Sequence, residues 1–120
     1  EYVVSAFGVK WDWKHKQPGT DDWFSPAPNT VPDLARALTK NPGLHVLVQQ
    51  GWYDLATPHF IMKHDIDHLD ITPEARARIR TEYYEAGHMM YLHGPSMGKY
   101  REDLARFIRE TDRVAGDVKQ

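Results

Sequence analysis

The run Leu44-His45-Val46-Leu47-Val48 constrains this chain more than any other stretch of its sequence. Apart from His45 it is apolar throughout and partly β-branched, so a strand built from it has no polar face to turn toward water. A half-solvated strand alternates in polarity. An unbroken apolar run requires cover on both faces, the situation of a parallel strand between helical layers. This strand ends at Gly51. A second is legible from Ile79 to Glu85, centred on Tyr83-Tyr84 and stopped by Gly87. Parallel neighbours need a crossover between them, and the intervening sequence has helical spacing.

The remaining punctuation agrees. Thr30 with Asp33 reads as a capping-box start for a helix through Leu34 and Leu38, closed by Asn41-Pro42-Gly43. Thr57-Pro58 reads as N-cap and first helical position, with Met62, Ile66 and Leu69 as an inward stripe. Thr72-Pro73 opens a short Ala/Arg turn. Ser96 is placed to cap a last helix whose Tyr100, Leu104, Phe107 and Ile108 share one side. The other faces of that helix carry Arg101, Glu102, Asp103, Arg106, Arg109 and Glu110. Helix, strand, helix, strand, helix is an α/β order. Two strands do not make a doubly covered parallel sheet, so the sequence predicts an α/β fold whose sheet another chain completes.

Residues 1–29 differ in kind. Trp11, Trp13, Trp23 and Phe24 stand among Pro18-Gly19, Pro26 and Pro28. Proline at that density blocks both ladders and helix interiors. The sequence therefore predicts an irregular aromatic segment over 1–29 that packs on the rest of the protein, with 30–120 as the α/β portion. The chain has 120 residues, a formal net charge of -2 and no cysteine. Disulfides, cysteine nucleophiles and cysteine-ligated zinc are thereby excluded. The charge lacks the basic footprint of a nucleic-acid binder, so no such partner is expected. No apolar run approaches the roughly 20 residues that cross a bilayer, and no membrane insertion is expected.

In open α/β sheets, function gathers in the loops beyond the carboxyl ends of the strands. Those loops hold Asp54 and His88. If the two strands are neighbours, the Asp54 carboxylate can reach the imidazole, fixing its tautomer as in the later two members of a Ser-Asp-His triad. The bland reading of the same residues is an aspartate capping the next helix and an ordinary loop histidine.

Gly51-Trp52-Tyr53-Asp54-Leu55-Ala56-Thr57-Pro58, followed by Tyr83-Tyr84-Glu85-Ala86-Gly87-His88-Met89-Met90-Tyr91, resembles the C-terminal region of bacterial serine carboxypeptidase-like peptidases. The similarity runs from about Trp11 to Ile108. It implies an α/β-hydrolase fold, Asp54 as triad acid, His88 as general base, and Met89 lining the pocket for the departing C-terminal residue. It implies no metal and no organic cofactor, peptide substrates, and a periplasmic or secreted location. It also leaves open a homo-oligomer of the completed enzyme.

The family's nucleophilic serine lies well before the acid, and no elbow precedes Asp54 here. Gly94-Pro95-Ser96-Met97-Gly98 is a literal G-x-S-x-G, yet Pro95 rather than a strand precedes the serine, which suits an N-cap better. The expected partner is therefore an N-terminal chain of the same enzyme carrying the serine, separated by proteolytic processing; a start at Glu1 fits this. A non-enzymatic binding module or inactive fragment is the alternative, with His64 and His68 at i, i+4 as metal ligands. Those histidines lie opposite the Met62/Ile66/Leu69 stripe and lack the glutamate of H-E-x-x-H, as a solvated helix face would.

Overall fold

The structure, a computed structural model, describes residues 29–112 together with the backbone of residues 15–16 and 23–25. Helix α1 spans Val31–Lys40, with Pro32 in the first turn, where its missing N–H goes unneeded. Thr30 occupies the N-cap position, but with φ -95 and ψ 1 its side chain caps nothing. The expected Thr30 cap is replaced by Asn29, whose Oδ1 accepts the Val31 N–H at 3.1 Å. At the other end Arg78 gathers the orphan carbonyls, donating to Leu38 O at 2.6 Å, Asn41 O at 2.7 Å and Leu44 O at 2.9 Å.

Strand β3, Val46–Gly51, pairs in parallel with β4, Ile79–Tyr84, in a register running from Val46 opposite Ile79 to Gly51 opposite Tyr84. Upstream, β1 (His15–Lys16) and β2 (Trp23–Ser25) form a separate antiparallel pair. Otherwise the expectation of an irregular segment over 1–29 falls largely outside the described residues. The crossover from β3 to β4 holds α2 (His59–Asp67) and the short α3 (Pro73–Arg76). Thr72 caps α3 as its sequence predicts, accepting the Ala75 N–H at 3.3 Å. Helix α2 departs from expectation: Pro58, not Thr57, holds its N-cap position, because the Thr57 side chain is turned back toward Asp54. Arg76 ties down the far end of α2, donating to Leu69 O at 2.7 Å and to Ile66 O.

The sheet sorts its neighbours by side-chain parity. Val46 and Ile79 pack with Leu38, Leu69 and Ala75, so α1, α3 and the segment that follows α2 cover one face. Leu69 of the expected α2 stripe is buried, while Met62 and Ile66 are half-buried. The opposite parity, Arg80, Glu82 and Tyr84, meets α4 (Met97–Thr111), which follows two 3-10 turns at Met90–Leu92 and Gly94–Ser96.

Two expectations about α4 are corrected. Ser96 stands at its N-cap but in a helical conformation, and its hydroxyl lies 2.8 Å from His93 Nδ1 instead of capping. Asp103, placed by the helical pattern on the outward side, is buried, whereas Ile108 is exposed. The reason is a polar layer under the sheet. The Asp103 carboxylate accepts from Lys99 and Arg106 at 2.6 Å each and from the Tyr84 hydroxyl at 3.2 Å. Lys99 and Arg106 also reach Glu82, and Gln49 Nε2 donates to the Tyr84 oxygen at 2.7 Å. Every member has a partner, the condition under which a buried carboxylate is tolerated.

The described residues thus form a mixed helix/strand domain with a two-stranded parallel sheet and helices on both faces. The double cover that the Leu44–Val48 run demands is only partly supplied among them: Val46, Leu47 and Val48 remain half-buried. Among the described residues no helix is long and apolar enough to cross a membrane.

Candidate active site

The parallel ladder does not stop with the strands. Trp52 N–H donates to Tyr84 O at 2.9 Å and Tyr53 N–H to Ala86 O at 3.0 Å, so the two following loops leave side by side. Gly51 permits this approach, since a Cβ at that position would overlap the carbonyl oxygens of Ala86 and Gly87. The Trp52 ring stacks on Tyr83 at 4.2 Å between centroids and meets His59 edge-on, pinning the start of the first loop. Asp54 and His88 lie just beyond, one on each loop.

Asp54 closes a tight turn, its N–H donating to Gly51 O at 3.3 Å. Its Oδ1 accepts the N–H groups of Ala56 at 2.9 Å and Thr57 at 2.8 Å. Its Oδ2 accepts the Thr57 hydroxyl at 2.7 Å and faces His88 Nδ1 at 3.0 Å. From beneath, the Gln50 amide donates to Thr57 O. The Asp54 side chain is 4% exposed and that of His88 is 56% exposed. Burial alone would raise the Asp54 carboxyl. The Thr57 N–H, the His88 ring, the Thr57 hydroxyl and the Ala56 N–H outweigh it and hold the group well below the ordinary carboxylate range.

A buried carboxylate thus stands behind a half-exposed imidazole. With Nδ1 turned to Asp54, Nε2 carries the lone pair, and among the described residues nothing hydrogen-bonds to it. The group is arranged to accept a proton from something that approaches from outside, with the resulting imidazolium stabilised by the anion behind it. The pair itself helps to line a pocket of about 280 Å3, together with Val48, Gln49, Gln50, Thr57, Met62 and Met90. Met90, rather than Met89, takes part in this lining. Met89 is 49% exposed at the head of the 3-10 turn.

The other sequence candidates stay apart. Ser96 is buried and engaged with His93. His64 and His68 stack at 4.1 Å on the exposed side of α2, with His68 Nδ1 2.8 Å from His64 O. Among the described residues no group of three or more His, Cys, Asp or Glu side chains is placed to hold a metal ion.

Sequence reasoning missed Thr57 and Gln50. The signal for Thr57 was present: Asp-x-x-Thr offers a carboxylate to its own i+2 and i+3 amides, an Asx-type turn that competes with helix capping. Gln50 had none, because its role depends on where the loop folds back. No protein-family model, curated protein or solved structure matches this chain.

Proposed function

We propose that this chain supplies the acid and the general base of a serine carboxypeptidase-like hydrolase, with the nucleophilic serine carried on a separate N-terminal chain. One observation supports this reading above the others. Asp54 and His88, on loops leaving adjacent parallel strands, meet at 3.0 Å with the carboxylate buried and Nε2 open to an incoming group. That is the relation of acid to base in a Ser-Asp-His triad. Ser96, the one serine whose side chain is described, is occupied by His93, in keeping with a nucleophile from elsewhere. In an α/β-hydrolase fold β3 and β4 would be the last strands of a larger sheet, and the missing chain would contribute the others.

His88 Nε2 removes the serine hydroxyl proton as the oxygen attacks the substrate carbonyl carbon. The imidazolium, held by Asp54, then delivers that proton to the departing amine, releasing the C-terminal residue and leaving an acyl-serine. Water repeats the cycle: His88 takes its proton, the acyl bond breaks, and the proton returns to the serine oxygen. The choice of a C-terminal residue over other acyl substrates comes from the sequence resemblance.

The test is His88→Ala in the assembled two-chain enzyme, assayed on blocked dipeptides. The expected result is a fall in kcat of about a thousandfold or more at unchanged folding. Near-normal release of the C-terminal amino acid by this variant would overturn the assignment.

A further inference from the structure

Resting on the acid–base reading of Asp54 and His88, we propose that Thr57 is a positioning residue that reinforces Asp54 in holding the proton of His88 on Nδ1 and the ring in its place. The geometry is specific to its hydroxyl. Thr57 Oγ1 lies 2.7 Å from Asp54 Oδ2 and 3.3 Å from His88 Nδ1, so one oxygen faces both partners. A hydroxyl has a single proton to donate. A charged carboxylate at the shorter distance takes it in preference to a neutral ring nitrogen farther away. The Thr57 oxygen then turns only lone pairs toward the imidazole. His88 Nδ1 consequently faces two acceptors, Asp54 Oδ2 at 3.0 Å and Thr57 Oγ1 at 3.3 Å. A lone pair on Nδ1 would oppose both of them, whereas an N–H satisfies both. The proton is held on Nδ1, and the basic lone pair is held on the outward Nε2.

The rest of the loop fixes the hydroxyl in this place. The Thr57 N–H is bound to Asp54 Oδ1 at 2.8 Å and its carbonyl is held by the Gln50 amide, so the residue is anchored at both ends of its backbone. Those two anchors are main-chain and survive replacement of the side chain. The Asp54 turn and the tautomer control are thus separable by mutation. Removing the hydroxyl leaves Asp54 Oδ2 as the acceptor that remains at Nδ1, loosens the ring, and weakens the preference for the Nδ1–H tautomer.

The experiment compares Thr57→Val, Thr57→Ala and Thr57→Ser in the assembled enzyme. Steady-state peptide hydrolysis across pH is measured beside the 15N resonances of the His88 ring. Loss of the hydroxyl is expected to lower kcat by about tenfold to a hundredfold with little change in KM. It is also expected to move the ring signals away from the Nδ1–H pattern, and Thr57→Ser restores both. Thr57→Ala carries the comparison should the bulkier valine disturb folding. A wild-type Nδ1–H pattern and wild-type kcat in a folded Thr57→Ala protein would overturn the proposal. The ring signals answer independently of peptidase activity. A shift of the ring signals on loss of the hydroxyl, alongside a wild-type assembly that lacks peptidase activity, would sink the hydrolase reading and keep the Thr57 role.

Discussion

Four donors converge on one buried carboxylate at Asp54, and each of its oxygens accepts two of them. Burial pushes this carboxyl upward, and the hydrogen bonds reverse that and keep it ionised far below its ordinary value of 3.8. The sign of the linkage follows. Since the folded-state value is depressed, the carboxylate stabilises the folded form fully above 3.8 and loses that contribution as pH falls below it. Asp54→Asn cannot titrate. The stability gap between the wild type and Asp54→Asn, read from urea unfolding of the assembled protein, is therefore expected to be fully open at about pH 5. It then narrows steadily on further acidification. A gap unchanged down to pH 2.5 would mean that the carboxylate is not held as its geometry indicates.

At the scale of elements, the pair depends on how closely the ends of β3 and β4 approach. Gly51 controls that approach, because the atoms a side chain would meet are the backbone oxygens of Ala86 and Gly87, which cannot swing aside as a flexible side chain can. Gly51→Ala is expected to force the two loops apart, lowering stability by about 1–3 kcal/mol. Activity should fall more than stability does, since the Asp54–His88 bond spans the same gap. Thermal unfolding and kcat/KM on the same preparation check this, and an active, fully stable Gly51→Ala protein would refute it. The two strands, their parallel pairing and the meeting of Asp54 with His88 were legible, because apolar runs are local signals, although β4 ends at Tyr84 before the glycine expected to stop it. Thr57 and Asp103 were not. Threonine before proline is equally fit to cap a helix or to bind a carboxylate behind it, and only the closed loop decides. Asp103 lies among the charged residues of an amphipathic pattern. What buries it is the hydroxyl of Tyr84 on a distant strand, together with the two cations of its own helix.

For the whole molecule, the described apolar surface exceeds what the described elements cover. Leu55 is 91% exposed, Phe60 71% and Leu92 68%, and an apolar groove of about 470 Å3 runs between α1, β3 and α2 past Leu34, Val48, Ile61 and Met62. The polar side of the same incompleteness is the free edge of β3. Val46 N–H donates to Arg78 O and Trp52 N–H to Tyr84 O, so the even-numbered amides of β3 point at β4. With the period of two that a strand imposes, the amides of Leu47 and Gln49 point the other way, where no described strand lies. An edge of this kind, flanked by half-buried Val46, Leu47 and Val48, is a template for another strand. We take this edge as the place where the proposed N-terminal chain would pair to extend the sheet. Amide exchange at Leu47 and Gln49 is then expected to be fast in this chain alone and slowed by orders of magnitude in the two-chain assembly, while the Val48 and Gln50 amides are protected in both. The chain alone should also bind a hydrophobic dye and self-associate in sedimentation experiments, and lose both properties on assembly. A monomeric chain that protects Leu47 and Gln49 by itself would show that its sheet is already complete, and that nothing from outside is needed at this edge.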